Sequence, residues 1–248
     1  MITTTHLTKS FGKLVAVDGL TMEVEAGELF GFLGPNGAGK TTTINMLTGL
    51  MRPTSGTATI CGYDVRAQAS QVKAITGLMP DTPNLYETLT GRQFVRFIAD
   101  LYEIDAKQSE RQMEELLEAF DLTDTADELI KSYSHGMQKK ILLIGVLVHE
   151  PRVLFLDEPT SGLDPKSARI AKELLRACCD RGCTVFMTTH ILEIAERVCD
   201  RIGIINGGKL VAVGTMEELR QNRTTTDLSL EEIFLELTEK VEDEGTSM

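Results

Sequence analysis

The chain has 248 residues, 42% of them hydrophobic, and a formal net charge of -12, enough apolar material to bury the core of one domain with a subdomain. The charge repels a phosphate backbone and no basic run is longer than Lys139-Lys140, which excludes nucleic acid as a partner. The longest apolar stretch, Ile141 to Val148, is far short of the roughly 20 residues that cross a bilayer; with no signal pattern at Met1-Ile2-Thr3-Thr4-Thr5 and five cysteines lacking a C-x-x-C pair, a cytoplasmic chain with free thiols and no zinc site is expected.

Strands are predicted at Ile2 to Thr8 and at Leu20 to Val24, where apolar residues alternate. The apolar run Leu29-Phe30-Gly31-Phe32-Leu33 then leads straight into Gly34-Pro35-Asn36-Gly37-Ala38-Gly39-Lys40-Thr41, which meets the phosphate-loop pattern G-x-x-x-x-G-K-[ST] at every required position. Its glycines let successive N–H groups point at phosphate oxygens. The helix that follows, with Thr42 in its first turn, presents its positive end to the same anion. Lys40 reaches the β- and γ-phosphates and Thr41 ligates Mg²⁺. A plain strand-to-helix turn needs neither the lysine nor the hydroxyl at those offsets, so a nucleoside triphosphate is the expected ligand.

Gly49 stops this helix. Thr57 to Cys61 and Ile75 to Met79 read as strands, the second cut off by Pro80. From Asp81 to Tyr133 the period becomes helical: Phe94, Phe97, Ile98 and Leu101 share one face, and Met113, Leu116, Leu117 and Phe120 another. Thr90-Gly91-Arg92-Gln93 has capping-box spacing and starts the first long helix of this insertion. Ser134 to Glu150 reads as a helix stopped by Pro151.

Val153-Leu154-Phe155-Leu156 is an all-apolar strand of the kind buried on both faces. It delivers Asp157 and Glu158 at its carboxyl end, where ligands sit in open α/β sheets. Asp157 suits Mg²⁺ or its waters, and Glu158 suits a base that polarises water against the γ-phosphate; two acids ending a surface strand is the plainer alternative. Lys166 to Ala177 reads as a helix and Thr184 to Met187 as a strand. Beyond Thr188-Thr189, His190 either brings an imidazole to the γ-phosphate or caps a helix in solvent. Ile191 to Cys199 reads as a helix, and Asn206-Gly207-Gly208 joins two strands in a late hairpin. The C-terminal segment carries a Ser229 to Glu232 capping box, an amphipathic turn through Ile233, Phe234 and Leu237, and an acidic tail expected to be disordered. The alternation of strands and helices predicts an α/β fold with a parallel sheet.

Together these motifs resemble the ATP-binding cassette, the nucleotide-binding subunit of ABC transporters. Besides the phosphate loop and the strand ending in Asp157-Glu158, the resemblance rests on Tyr133-Ser134-His135-Gly136-Met137-Gln138, on Ser161-Gly162-Leu163-Asp164 after Pro159-Thr160, and on His190. It covers nearly the whole chain. The segments Leu85 to Thr90 and Leu230 to Thr238 are similar to cassettes that serve ABC-2-type exporters. The resemblance implies a P-loop NTPase (RecA-like) core at 1–80 and 134–215 with a mainly parallel sheet, an N-terminal antiparallel β subdomain, an inserted α-helical subdomain at 81–133, and a C-terminal extension at 216–248.

It further implies ATP hydrolysis with Mg²⁺, in which Lys40, Glu158 and His190 act on the phosphates and Phe11 stacks on adenine. Ser134 and Gly136 would contact the γ-phosphate held by the opposite subunit, and Asp164 would lie in that interface, although Ser134 and Asp164-Pro165 also read as ordinary helix N-caps. Two subunits, identical or closely related, would close head to tail and drive separate transmembrane permease subunits docked near Asp81 and the helical insertion, from the inner face of the membrane. Two positions depart from the family pattern. Asp81 stands where a glutamine usually reaches Mg²⁺ and the attacking water, and His135 where a glycine is usual. Left open are a regulatory ATPase of the same superfamily without a transport partner, and a GTPase, although no N-K-x-D segment is present.

Overall fold

A computed structural model describes residues 1–221 and 229–245, with side chains described as far as residue 237. The elements run β1 (Ile2–Phe11), β2 (Leu14–Val24), β3 (Leu29–Leu33), α1 (Lys40–Leu47), β4 (Ser55–Ile60), β5 (Tyr63–Asp64), α2 (Ala69–Ile75) and β6 (Thr76–Met79). Then follow α3 (Gly91–Leu101), α4 (Ala106–Ala119), α5 (His135–Leu147), β7 (Val153–Asp157), α6 (Pro165–Asp180) and β8 (Thr184–Thr189). The chain continues through α7 (Leu192–Val198), β9 (Arg201–Asn206), β10 (Lys209–Gly214), α8 (Met216–Gln221) and α9 (Leu230–Gly245).

These strands form two sheets. An antiparallel sheet runs β2-β1-β4-β5, and a six-stranded sheet runs β10-β9-β3-β8-β7-β6, parallel throughout except for the β9–β10 hairpin. Gly207 and Gly208 both take positive φ in that hairpin, as a tight two-residue turn demands. β3, β7 and β8 are buried along their whole length, which explains why their sequences are continuous rather than alternating apolar runs.

Each face of the parallel sheet has its own core. On one, Phe30, Phe32, Phe155 and Phe186 cluster against α1 and the antiparallel sheet, with Phe186 at 5.2–5.7 Å from the other three rings. On the other, Leu154, Leu156 and Met187 share a continuous core with Phe94, Met113 and Phe120 of the helical insertion and Ile141 and Leu143 of α5. The insertion is therefore welded to the sheet through α5. Thr90 makes both halves of its capping box with Gln93, as its spacing predicts.

Three expectations need correction. α3 buries Phe94, Val95 and Ala99, while Phe97 and Leu101 are exposed, with Phe97 edge-on to Tyr86. The apolar periodicity identified the helix but placed its buried face one residue off: Phe94 and Ile98 pack beside Gly145 of α5, and Val95 and Ala99 join the same core on the flank where Phe97 and Leu101 do not. The acidic segment after Leu237 is helical as far as Gly245, as part of α9, because its Glu-rich sequence has good helix propensity once Ser229 and Glu232 cap the start. Ile75 ends α2 rather than starting a strand.

Candidate active site

β3 ends and α1 begins across the glycine loop, and two of its glycines have no room for a side chain. A Cβ on Gly34 would lie 2.3 Å from the Ile205 carbonyl oxygen, and one on Gly39 2.4 Å from that of Ala16. Gly39 also takes φ 108 and leaves α1 without a side-chain cap or an acidic residue in its first turn. The first N–H groups of α1 thus remain open toward the loop, a ready anion site.

Lys40 is 8% exposed, and its ammonium donates to the carbonyls of Gly34 at 2.7 Å and Pro35 at 3.1 Å. Burial pushes it below the ordinary lysine range, opposed by the negative charges of Glu158 and Asp157. A phosphate entering the loop would therefore exchange one set of oxygens for another around the same ammonium.

The strand order brings the acids to this loop. β8 lies between β3 and β7, with Leu33 opposite Thr189 and Asp157 opposite Thr188. Asp157 accepts from Thr41 Oγ1 at 2.6 Å and from Thr188 Oγ1 at 2.5 Å, so a residue of each neighbouring element fixes its carboxylate. Glu158 follows at φ 53, a left-handed conformation that is uncommon outside glycine. Its N–H donates to Thr188, and its Oε1 lies 2.9 Å from His190 Nδ1. Its other oxygen, Oε2, is buried with no partner.

Asn36, Gly37, Gly39, Lys40, Thr41, Thr42, Asp81, Asp157 and Glu158, together with Ala16, line one pocket of about 210 Å³. Most of the residues read as phosphate- and metal-binding are thus gathered in one place. The hydroxyl and carboxylate oxygens of Thr41 and Asp157 form a hard donor set of the kind Mg²⁺ takes when phosphate and water complete its shell. Among the described residues, no cluster of three or more His, Cys, Asp or Glu side chains forms a metal cage. All five cysteines are free thiols.

Phe11, Ser134, Gly136 and Asp164 stand outside that pocket. Phe11 is 47% exposed on the β1–β2 hairpin with the Lys9 ammonium 5.1 Å from its ring centre. Ser134 caps α5 by accepting from Met137 N–H. Asp164 caps α6 ahead of Pro165; the hydroxyl and N–H of Ser167, then Lys140, hold its carboxylate well below the usual range. His135 is the first residue of α5 and does not take positive φ. Its ring lies beside Gly162, whose positive φ and absent side chain make the room.

Two residues at the site went unread in the sequence. Thr188 anchors Asp157, and a threonine on a strand carries no signal of that. Lys139 is 1% exposed and contacts Asp81 and the Glu158 carbonyl, each at 3.3 Å. A signal did exist there: Lys139 shares a helical face with Leu142 and Leu143, and a charge on an apolar face needs a buried partner.

The family described as ABC transporter matches residues 17–161. The chain is 40% identical over 219 residues to a daunorubicin resistance ATP-binding protein of Streptomyces coeruleorubidus, covering 88% of this chain and 69% of that protein. It is 37% identical over 219 residues to a linearmycin resistance ATP-binding protein of Bacillus subtilis (strain 168), covering 88% and 70%. A solved ATP-binding subunit of an ABC transporter superposes with a TM-score of 0.92 at 31% identity, over 96% of this chain and 99% of that one.

Proposed function

Because the chain belongs to the ABC transporter family, as an ATP-binding subunit with ATPase activity, we propose that Lys40, Asp157, Glu158 and His190 are the side chains that carry its hydrolytic step. Phosphoryl transfer to water is chiefly positioning and charge neutralisation. The loop amides and Lys40 hold the β- and γ-phosphates, and Glu158 takes the proton of the attacking water. His190, hydrogen-bonded to Glu158, orients that carboxylate from the neighbouring strand. Thr41 and Asp157, with Asp81 beside them, are the residues that would hold Mg²⁺, which supplies further neutralisation of phosphate charge.

The observation that carries this reading is Glu158 itself. One oxygen is held by His190 while the other is buried without a partner, on a residue that lines the same pocket as Lys40. A buried carboxylate oxygen left bare is costly, and a water held for attack on the γ-phosphate satisfies it.

Ser134, Gly136 and Asp164 lie outside the phosphate pocket but close to one another in the chain's own fold, through His135 against Gly162 and Lys140 against Asp164. We assign them to the γ-phosphate of a second copy or close paralogue, reached when two subunits close head to tail around two ATP molecules. Phe11, exposed at the end of β1, is assigned to adenine. No helix among the described residues is long and apolar enough to cross a membrane; the relatives' names as ATP-binding proteins favour separate permease subunits, with this chain docked on the inner face of the membrane. The resistance names of its relatives favour an exporter.

Lys40→Met tests the phosphate assignment. Loss of one charge-assisted contact of about 2 kcal/mol weakens ATP binding roughly thirtyfold, measured by titration with a fluorescent nucleotide. Unchanged affinity would contradict the role given to the loop.

A further inference from the structure

Lys139 lies on α5, a helix whose interior positions are otherwise apolar, and its side chain is 1% exposed. A buried ammonium persists only where its charge and its protons are met. Here they are met by two residues of the phosphate pocket rather than by helix neighbours. Nζ lies 3.3 Å from Asp81 Oδ1 and donates to the Glu158 carbonyl at 3.3 Å. Asp81 follows β6 at the entry to the helical insertion, and Glu158 is the residue that leads from the end of β7 into the pocket.

The Glu158 backbone needs holding. Its φ of 53 is a sparsely populated conformation for a side-chain-bearing residue, and such conformations survive only when the surroundings over-determine them. Thr188 fixes the N–H side through its hydroxyl at 3.2 Å and its carbonyl at 3.3 Å. Lys139 fixes the carbonyl side. We propose that Lys139 is a positioning residue for the catalytic carboxylate, clamping the Glu158 backbone while its charge is balanced by Asp81, so that the geometry of the base is tied to the loop that enters the helical insertion. This rests on Glu158 acting as the base.

Lys139 makes two separable contributions. The ion pair with Asp81 stabilises the fold, whereas the bond to the carbonyl orients Glu158 and does not need Asp81. Lys139→Met should therefore lower kcat by at least about tenfold while KM and fluorescent-nucleotide affinity stay within about threefold, the pattern of an interaction that matters mainly in the transition state. Lys139→Arg, which restores a donor and a charge, should return kcat to within about threefold of the parent. On an Asp81→Asn background, Lys139→Met should lower kcat by a similar factor, yet cost less in thermal midpoint than it does alone, because no carboxylate is left unpaired.

Parent-like kcat in Lys139→Met would overturn the proposal. So would a loss of kcat matched by lost nucleotide binding and abolished on the Asp81→Asn background, which assigns Lys139 to stability alone. Should Lys139→Met fail to fold, the comparison of Asp81→Asn with the double variant, neutral at both positions, decides the question by the same criterion. Glu158→Gln assayed in parallel keeps the two claims apart: normal turnover there removes the base assignment, whereas parent-like turnover in Lys139→Met beside an inactive Glu158→Gln removes only the clamp.

Discussion

Phe11 shows how an exposed residue can be more informative than a buried one. A phenylalanine 47% exposed at the end of β1 gains little from its apolar area in the isolated chain. The Lys9 ammonium near its ring further fixes that hairpin and donates to the Arg52 carbonyl. If Phe11 stacks on adenine, Phe11→Ala raises the KM for ATP about tenfold and leaves kcat within about twofold, since stacking is worth roughly 1–2 kcal/mol and is the same in ground and transition states; steady-state kinetics with an unchanged KM would contradict it. At this scale the residues that were legible are those whose spacing is itself chemical. Lys40 and Thr41 are fixed by the loop pattern, and Asp157 and Glu158 by their place at the end of a buried strand. Thr188 and Lys139 were not, because their roles arise from pairings that cross 31 and 58 residues of chain. The family departure at His135 resolves simply: as the first residue of α5 it has an ordinary backbone, and Gly162 supplies the space for its ring.

Helices join the insertion to the sheet, and one such junction holds a buried imidazole. His149, just beyond α5, stacks on Tyr102, just beyond α3, with ring centres 3.8 Å apart, while Tyr102 donates to the Thr76 carbonyl on β6. Burial holds the His149 imidazole below its usual value, only partly offset by the backbone of Gly145 and Thr76, and neither ring nitrogen makes a full hydrogen bond. The unfolded chain therefore takes up this proton first as pH falls. The stability it carries is present above about pH 6.5 and is lost below it, at up to about 1.4 kcal/mol per pH unit until the folded-state value is reached. Urea midpoints at pH 7.5 and 5.5 should fall more for the parent than for His149→Phe, which keeps the stack and removes the titration; parallel falls would contradict the assignment. Element types were largely readable from periodicity and caps, as Thr90 and Ser229 illustrate. Faces and ends were less so. Phe97 and Leu101 follow the helical period but stay exposed, and α2, with only Val72 buried, offers too little pattern to be seen.

The whole molecule places its chemistry by interleaving strands that are distant in sequence. β8 comes late in the chain yet sits between β3 and β7. From there Thr188 reaches Asp157, and His190 reaches Glu158. Alternating strands and helices announced a parallel sheet but not this order, which depends on which apolar surfaces pair once helices cover both faces. A net charge of -12 does not oppose the proposed site, since the loop amides, the open end of α1 and Lys40 would act on a polyanion at contact distance, where the overall charge matters least. The central claim is that a carboxylate across the sheet primes water against a phosphate held by this loop. Its most direct test is ATP turnover by Glu158→Gln, with MgATP affinity measured on the same sample. Affinity within about threefold of the parent and turnover lower by at least about a hundredfold is the predicted result; turnover at the parent rate would contradict it.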